Sequence, residues 1–243
     1  YEIGSGLVGS EMCIRDSEKD SNNLAFMNYD HTQEHGGVDS SIYRQIYGST
    51  VTCDSLESVF SLCNSDNVPP GYLGEAMFVS NVIEICDGKD KGFYFCDSVG
   101  FKPIDFDISQ TDHNDMMKIL IVENGKAPYP AEIRHDIHAM QSVVGGSIEP
   151  IYFEPKQDAL VWCNDEFLLN NSVPNRMVGD CLVHGTFYIS GNCRNEYGEW
   201  DSCSLTDKQI EKYSAIFEQP LIVLDEEISE DFEESEEPEI TMS

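Results

Sequence analysis

The main pattern along the chain is a series of β-rich runs separated by turn residues. The clearest example is FVSNVIEICDG followed by KGFYFCDSVGFKPID, which a charged, glycine-containing turn joins into a predicted β-hairpin. IYRQIYG fits an extended or a helical segment, and NNSVPNRMVG reads as an irregular connection. Further strands are predicted for a set of similar runs: LAFMNYD, MKILIVENG, APYPAEIR, IEPIYFEP, DALVWCND and LVHGTFYISG.

Three shorter segments favour helices. CDSLESVFSLCNSD has Asp54 or Ser55 as a capping residue, and its apolar side chains recur at helical spacing. DIHAMQSVVGG predicts a short helix that ends at Gly145 or Gly146 in the left-handed conformation. The last helix begins at a capping box, Thr206-Asp207-Lys208-Gln209, in which a hydroxyl and an amide can satisfy each other's backbone N–H groups.

These elements predict an α+β protein of two small domains, each a mostly antiparallel sheet with one or two packed helices. The first domain is expected at residues 18–108 and the second at 117–218. Between them SQTDHNDM, residues 109–116, has no apolar period and predicts a linker. Residues 219–243 contain ten acidic residues and no basic one after position 224, a composition that predicts a disordered acidic tail.

Residues 1–17, YEIGSGLVGSEMCIRDS, carry a different signal. Leu7 to Asp16 can be written as CTC GTG GGC TCG GAG ATG TGT ATA AGA GAC, which matches a transposase-type sequencing adapter, and Tyr1-Glu2 fits the outer primer of the same design. The alternative is a flexible N-terminus rich in Gly and Ser. We expect an artefactual, adapter-derived segment, and exclude it and Cys13 from the first domain.

The chain is strongly acidic, with 45 Asp and Glu against 14 Lys and Arg and a formal net charge of −31. Nucleic-acid binding relies on Lys and Arg to neutralise phosphates, and these residues are not clustered here. No apolar run reaches the roughly 20 residues of a membrane-spanning helix. We therefore expect a cytoplasmic protein, without direct nucleic-acid or membrane binding, that self-repulsion keeps soluble or whose partner is basic.

Without Cys13, eight of the nine cysteines remain, and none forms a C-x-x-C motif. They lie in sheet-like segments of a chain too long to need disulfide bonds for stability. Free thiols in a reducing cytoplasm are the prediction.

Three local motifs occur within residues 24–107: SLESVFSLCN leading into PPGYLG, the strand VSNVIEI, and the hairpin return YFCDSVGFKPI. Together they resemble the YodL-like domain found in proteins of bacterial mobile elements, and the last motif is the most specific. The usual second motif is Ser-Val-Ser-Asp-Val-Val, whereas this chain has Asn81 where Asp is common. The resemblance therefore does not carry an ionic role over to Asn81.

Residues 117–218 contain a second series of motifs: MKILIVENGK, MQSVVGGSIEPI, LVWCNDE, VPNR, HGTFYISG and SLTDKQIEKY. From end to end they resemble domain of unknown function 3846, a small module of Gram-positive bacteria, their phages and conjugative elements. The resemblance implies a compact α+β domain and an accessory role on mobile DNA, and it implies no established chemistry.

One group of polar residues in this second domain could bind a ligand: Asn164, Glu166, Asn175 and Arg176, with Asp165 beside them. Their carboxylate, amide and guanidinium groups suit a small polar ligand, with Arg176 as the anion contact. The alternative is that the Asn and Asp residues form turns while Arg176 makes a structural ion pair with Glu166.

His184 and Thr186 are further candidates, because Gly185 between them allows close backbone approach and His can carry a proton. The alternative is a packed histidine. His135 and His138 share the spacing of zinc ligands, but two ligands do not make a site, so we expect no metal and no cofactor. The chain has no recognisable catalytic motif. Catalytic residues stay unassigned, and an enzyme is not the favoured interpretation.

The composition and the resemblances together predict an accessory protein of a bacterial mobile element or phage. It would act by binding a basic host or element protein through its acidic surfaces and tail, for instance as a decoy for a nucleic-acid-binding protein. The alternative function is binding or sequestration of a small polar ligand by the second domain. The oligomeric state is left open.

Overall fold

The computed structural model describes residues 7–17, 24–72, 76–112, 115–195 and 197–220. The predicted acidic tail from residue 221 onwards lies outside the described residues. Within the described ranges, no helix has both the length and the apolar composition needed to cross a membrane.

The described residues form strands and a few short helices. In the first half, residues 7–112, the strands are β1 Leu7–Ser17, β2 Tyr43–Cys53, β3 Val82–Ile85, β4 Gly92–Cys96 and β5 Phe101–Ile104, and the helices are α1 Tyr29–Glu34 and α2 Leu56–Cys63. In the second half, residues 115–220, the strands are β6 Met116–Val122, β7 Tyr129–Arg134, β8 Ile148–Ile151, β9 Ala159–Asn164, β10 Pro174–Val178, β11 Cys181–His184, β12 Phe187–Arg194 and β13 Trp200–Cys203, and the helices are α3 Ile137–Val144 and α4 Asp207–Ile216. The predicted α+β class with mostly antiparallel sheets is confirmed.

The two halves share one sheet. Its strand order is β5-β4-β3-β1-β2-β7-β6-β12-β9-β8, with β13 paired to β12, while β10 and β11 form a separate hairpin. The halves meet where β2 pairs antiparallel with β7, with Tyr47 opposite Ile133. Gly71 packs so closely that a Cβ there would lie 2.5 Å from Cγ2 of Ile133. The two predicted sheets are therefore continuous across the junction.

Both ends of this ten-strand order are protected by proline. The terminal strands β5 and β8 are four residues long and contain Pro103 and Pro150 respectively. Proline has no N–H to offer a further strand, and short edge strands discourage pairing with other chains. Pro103 itself lies opposite Tyr94 within β5, so β5 pairs with β4 through this residue while its outer edge stays without an N–H at this position.

The sheet is buried on both faces. In β6, Met117, Ile119 and Ile121 point into the core beneath α2 and α3, whereas Leu120 and Val122 point into the core beneath α4. The first of these cores contains residues of both halves, including Tyr47 and Ile133. This period-two alternation is the sequence pattern that predicted the strand.

The three predicted helices are present with the predicted caps. The side chain of Ser55 caps α2, and Gly145 ends α3 at φ 72°. Thr206 and Gln209 form the capping box of α4. Local hydrogen bonding thus set these helix ends as the sequence indicated.

Other local predictions need correction. LAFMNYD forms turns rather than a strand, and Asn28 caps α1, which the sequence did not predict. IYRQIYG is extended, as part of β2. The irregular connection contains β10, and the single strand expected from LVHGTFYISG is broken at Gly185 into β11 and β12. At Gly185 φ is 72°, a value incompatible with a continuous strand.

The predicted linker, residues 109–116, is hydrogen-bonded to the sheet in its described part. Asp112 N–H donates to the carbonyl of Tyr43 at 3.2 Å, and Gln45 N–H donates to the carbonyl of Asp112 at 3.3 Å. A short 3₁₀ turn, Ile108–Gln110, precedes this contact. The connection therefore follows β2 instead of hanging free.

Residues 7–17, which we excluded from the first domain, form β1 between β2 and β3. The strand pairs with β2 from Leu7 to Ser17, and Ile14 is fully buried in the core. An extended segment with a buried apolar residue fits this slot because both neighbouring strands offer it unpaired backbone groups. Its exclusion from the fold is thus corrected, whereas its adapter origin stays a prediction.

Candidate functional site

A cleft of about 410 Å³ lies between the C-terminal end of α3, the end of β9 and the turn after β11. It brings together three of the predicted site residues, Asn164, His184 and Thr186. Val68 and Pro70 of the first half close one side. Its volume is within the roughly 300–1,000 Å³ of small-molecule pockets. We call it the polar cleft.

Asn164 holds the wall of the polar cleft together. Its Nδ2 donates to the carbonyl of Val144 at 3.3 Å, and its Oδ1 accepts from Glu166 N–H at 2.8 Å. A Cβ at Gly146 would lie 2.4 Å from this Nδ2, so glycine is required for α3 to approach β9 this closely. The amide of Asn164 is thus used internally, to join α3 to β9.

His184 and Thr186 have polar atoms that the described fold leaves unused. Nδ1 of His184 lies 2.8 Å from the carbonyl oxygen of Ser172, which can only accept, so Nδ1 carries the proton. In the neutral ring, Nε2 is then a free acceptor. The Thr186 hydroxyl has no hydrogen-bond partner within the described ranges. These two groups are available to a ligand in the polar cleft.

Asn175 lies behind the polar cleft rather than in it. It is 1% exposed, and its Nδ2 donates to the carbonyls of Val122 at 2.9 Å and Gly185 at 2.7 Å. Its Oδ1 accepts from Arg176 at 2.6 Å. Asn175 therefore positions the Gly185 turn and has no N–H donor left for a ligand.

Arg176 is 3% exposed and is surrounded by oxygen acceptors. Nε donates to the carbonyl of Phe217 at 2.9 Å, at the C-terminal end of α4, and Nη2 donates to the carbonyl of Lys126 at 2.7 Å. Burial lowers the pKa of Arg176. Every contact described for the guanidinium is therefore with the protein itself, and this arrangement gives no support to the anion contact expected at Arg176.

Glu166 is exposed and is not among the residues that line the polar cleft. Its carbonyl accepts from Leu169 and Asn170 in the turn after β9. Arg176 bonds to carbonyl and amide oxygens and not to Glu166, so the alternative prediction of an ion pair between them is also wrong. The turn-forming role foreseen for this segment is the one observed.

A second, larger cleft of about 1110 Å³ lies where the halves meet, on the other side of Val68 and Pro70. Glu123 accepts from Lys126 at 2.9 Å and from the Tyr129 hydroxyl at 2.7 Å. Burial and neighbouring acidic groups raise the pKa of Tyr129, so it stays a neutral donor. No sequence pattern indicated this cluster, because only the β2–β7 junction creates the cleft around it.

The polar cleft is neutral and rich in acceptors. Its lining contains no Asp, Glu, Lys or Arg. The C-terminal end of α3 contributes a partial negative charge. This arrangement suits an uncharged ligand with N–H or O–H donors and disfavours an anion.

His135 and His138 do not join a metal site, and no group of three His, Cys, Asp or Glu side chains in the part of the chain described here is placed to hold a metal ion.

The motifs that surround these features coincide with two family matches. Residues 13–106 match the YodL-like domain, and residues 117–218 match Domain of unknown function (DUF3846). The chain carries a YodL-like domain followed by a DUF3846 domain. The predicted resemblances and their order are confirmed. The first match begins within β1, in agreement with its place in the sheet.

Comparison with curated proteins gave no match, and comparison with solved structures gave none either.

Within the YodL-like domain, the structure explains the substitution at Asn81. Its Oδ1 accepts from Phe78 N–H at 2.8 Å, a contact that an Asp carboxylate can make equally well. Within the DUF3846 domain, the VPNR, HGT and VVGG motifs all lie in or behind the polar cleft.

Proposed function

We propose that this protein is an accessory protein of a bacterial mobile element or phage that works in the cytoplasm by binding a basic protein partner. The acidic surface and the acidic segment at residues 219–243 make the contact. The observation that carries the proposal is the net charge of −31. The YodL-like and DUF3846 matches support the mobile-element setting, because both domains resemble modules found in proteins of bacterial mobile elements.

The use of the basic residues strengthens this proposal. Five of them lie within 2.6–3.8 Å of a carboxylate in ion pairs: Lys102, Lys118, Lys126, Arg134 and Lys212. A sixth, Arg176, is buried. Among the described residues, six of the 14 basic residues are thus paired or buried, whereas the chain has 45 Asp and Glu residues for these 14 cations. The resulting negative field attracts a basic surface and accelerates its association.

The test is co-purification of the full chain from a bacterial host, with mass spectrometry of the bound proteins at low and moderate salt. The matched variant is the full chain with the ten carboxylates between Asp225 and Glu239 changed to amides. We expect basic partners on the wild type that moderate salt and the variant both reduce. Partners with no basic bias, or none at all, would contradict the proposal.

A second candidate function is favoured by the polar cleft, in which Nε2 of His184 and the Thr186 hydroxyl are unused. A neutral, donor-bearing ligand of the size of a nucleoside fits its volume and its lining. Thermal unfolding with a panel of nucleosides tests this function, and His184→Ala is expected to remove the shift while Glu166→Gln keeps it. Absence of a shift in the wild type, or a shift that survives His184→Ala, would count against it.

A further inference from the structure

Three aromatic side chains from separate strands line one small cleft in the second half. Trp162 lies in β9, Tyr152 follows β8 and Trp200 begins β13. Tyr152 is 61% exposed and Trp200 is 58% exposed, so both side chains are accessible to a partner. We call this feature the aromatic cleft.

The aromatic cleft has a volume of about 160 Å³. That is well below the roughly 300–1,000 Å³ of pockets for small-molecule ligands, so it fits a single inserted side chain better than a free ligand. The remaining wall is polar and includes Asp201, Gln157 and Asn192. Asp201 keeps an exposed carboxylate, because only its Oδ1 bonds to Ser202 N–H, at 2.8 Å.

The structure already shows that a cation rests on one of these rings. The guanidinium carbon of Arg194 lies 4.4 Å from the centroid of the Trp200 ring. Aromatic faces attract cations through their quadrupole, and tryptophan does so most strongly. Two basic side chains of neighbouring elements lie beside the cleft without lining it: Arg194, on the Trp200 ring, and His135, whose Nε2 lies 3.8 Å from Oδ1 of Asp201.

We propose that the aromatic cleft is the anchor point for an arginine or lysine side chain of the basic partner. This inference rests on the proposed function and names where a cationic side chain is held. The aromatic faces bind the cation, Asp201 provides the counter-charge, and the net charge of −31 brings the partner to the surface. Exposed tryptophan and tyrosine are also the residues that dominate the energy of protein interfaces.

Intrinsic fluorescence reports this cleft directly, because both tryptophans of the chain line it. The full chain is titrated with a short Gly/Ser peptide that contains arginine, and with the same peptide carrying glutamine instead. We expect the arginine peptide to change the fluorescence in a saturable way and the glutamine peptide to leave it unchanged.

Variants separate the cleft from general electrostatic attraction. Trp200→Leu and Tyr152→Leu are each expected to weaken the arginine peptide by about fivefold. Tyr197→Leu is the matched control, since Tyr197 is 80% exposed in the same hairpin but does not line the cleft. Arg194→Gln is expected to strengthen binding, because it frees the Trp200 ring and removes a like charge.

The outcomes distinguish the two proposals. If the arginine peptide binds but the Trp200 and Tyr152 variants bind as well as the wild type, the anchor is overturned and the proposed function stands. A fluorescence change of equal size with a neutral oligosaccharide would overturn a cationic occupant. If neither this peptide nor a fully basic polypeptide binds the wild type, the proposed function itself is overturned.

Discussion

Two pairs of polar residues in the second half, Asn175-Arg176 and His184-Thr186, looked alike in the sequence and are used differently in the structure. The first pair is buried and every contact described for it is with the protein itself. The second pair borders the polar cleft with acceptor and hydroxyl groups left over. The difference shows that residue type selects candidates, while burial and partner count decide between structural and binding roles.

The largest expected effect is at Arg176. Arg176→Ala removes the donors that bond to Phe217, Asn175 and Lys126. It leaves several buried oxygens unpaired, so the free energy of unfolding should fall by about 3 kcal/mol or more. Urea unfolding measures the loss, and Arg176→Lys should not restore it because lysine lacks the planar fork. A stability equal to that of the wild type would mean that the contacts of Arg176 do not stabilise the fold, and would contradict the distinction between the two pairs.

The next largest effect concerns the close contact between Gly146 and Asn164 in the wall of the polar cleft. Gly146→Ala should lower the free energy of unfolding by about 2 kcal/mol, because the new Cβ would meet Nδ2 of Asn164 and displace it from Val144. Gly145→Ala is the control: its φ of 72° is strained for alanine, but no atom lies within 4 Å of the new Cβ, so about 1 kcal/mol is expected. Urea unfolding of both variants gives the order, and the reverse order would contradict the close approach.

A smaller, pH-dependent effect extends the comparison to Glu154, which accepts from Lys212 and Tyr213 at 2.6 Å. Burial raises the pKa of Glu154, but these hydrogen bonds outweigh it and hold the pKa below its usual range. Because the folded-state pKa is the lower one, the stabilisation is present above about pH 4.3 and is lost as pH falls through the folded-state pKa.

Thermal unfolding of Glu154→Gln tests this pH dependence. The variant should be about 1 kcal/mol less stable than the wild type at pH 7, with the gap closing at acid pH as the Glu154 carboxylate protonates. Glu149→Gln, at an exposed position of β8, should show no gap at either pH. A gap for Glu154→Gln that is independent of pH would mean that packing, rather than the charged network, holds α4 in place.

The smallest effect is expected at Thr186. Thr186→Val removes a hydroxyl that has no partner in the described structure, so the free energy of unfolding should stay within about 0.5 kcal/mol of the wild type. Thr32→Val is the contrast, since Thr32 is buried and its hydroxyl donates to the carbonyl of Asn28 at 3.0 Å, and about 1 kcal/mol should be lost. Equal losses of stability in urea unfolding would show that the Thr186 hydroxyl also makes a hydrogen bond that stabilises the fold.

Local structure was the predictable part of this molecule. The capping box of α4, the glycine end of α3 and the β3–β4 hairpin follow from interactions between residues close in sequence. Helix α1 was missed because it is six residues long and has only a capping asparagine to indicate it. The strand β12 was predicted, but the break at Gly185 that separates it from β11 was not.

Long-range arrangement was not predictable from these patterns. The β2–β7 junction depends on the pairing of two strand edges, and neither sequence indicates which strand it pairs with. The burial of Arg176 depends on carbonyls at Lys126 and Phe217, far from it in the chain. The aromatic cleft likewise appears only when β8, β9, β12 and β13 pair. The only sequence signal for this cleft was that Trp162 lies in a predicted strand, and this alone does not show that Trp200 lies beside it.

The most direct test of the central claim, that the protein works by electrostatic binding of a basic partner, is calorimetric titration of the full chain with an arginine-rich peptide at two ionic strengths. We expect measurable binding at low salt and a dissociation constant at least about tenfold weaker at moderate salt, since screening reduces the attraction. Absence of binding at low salt, or an affinity that does not change with salt, would contradict the account.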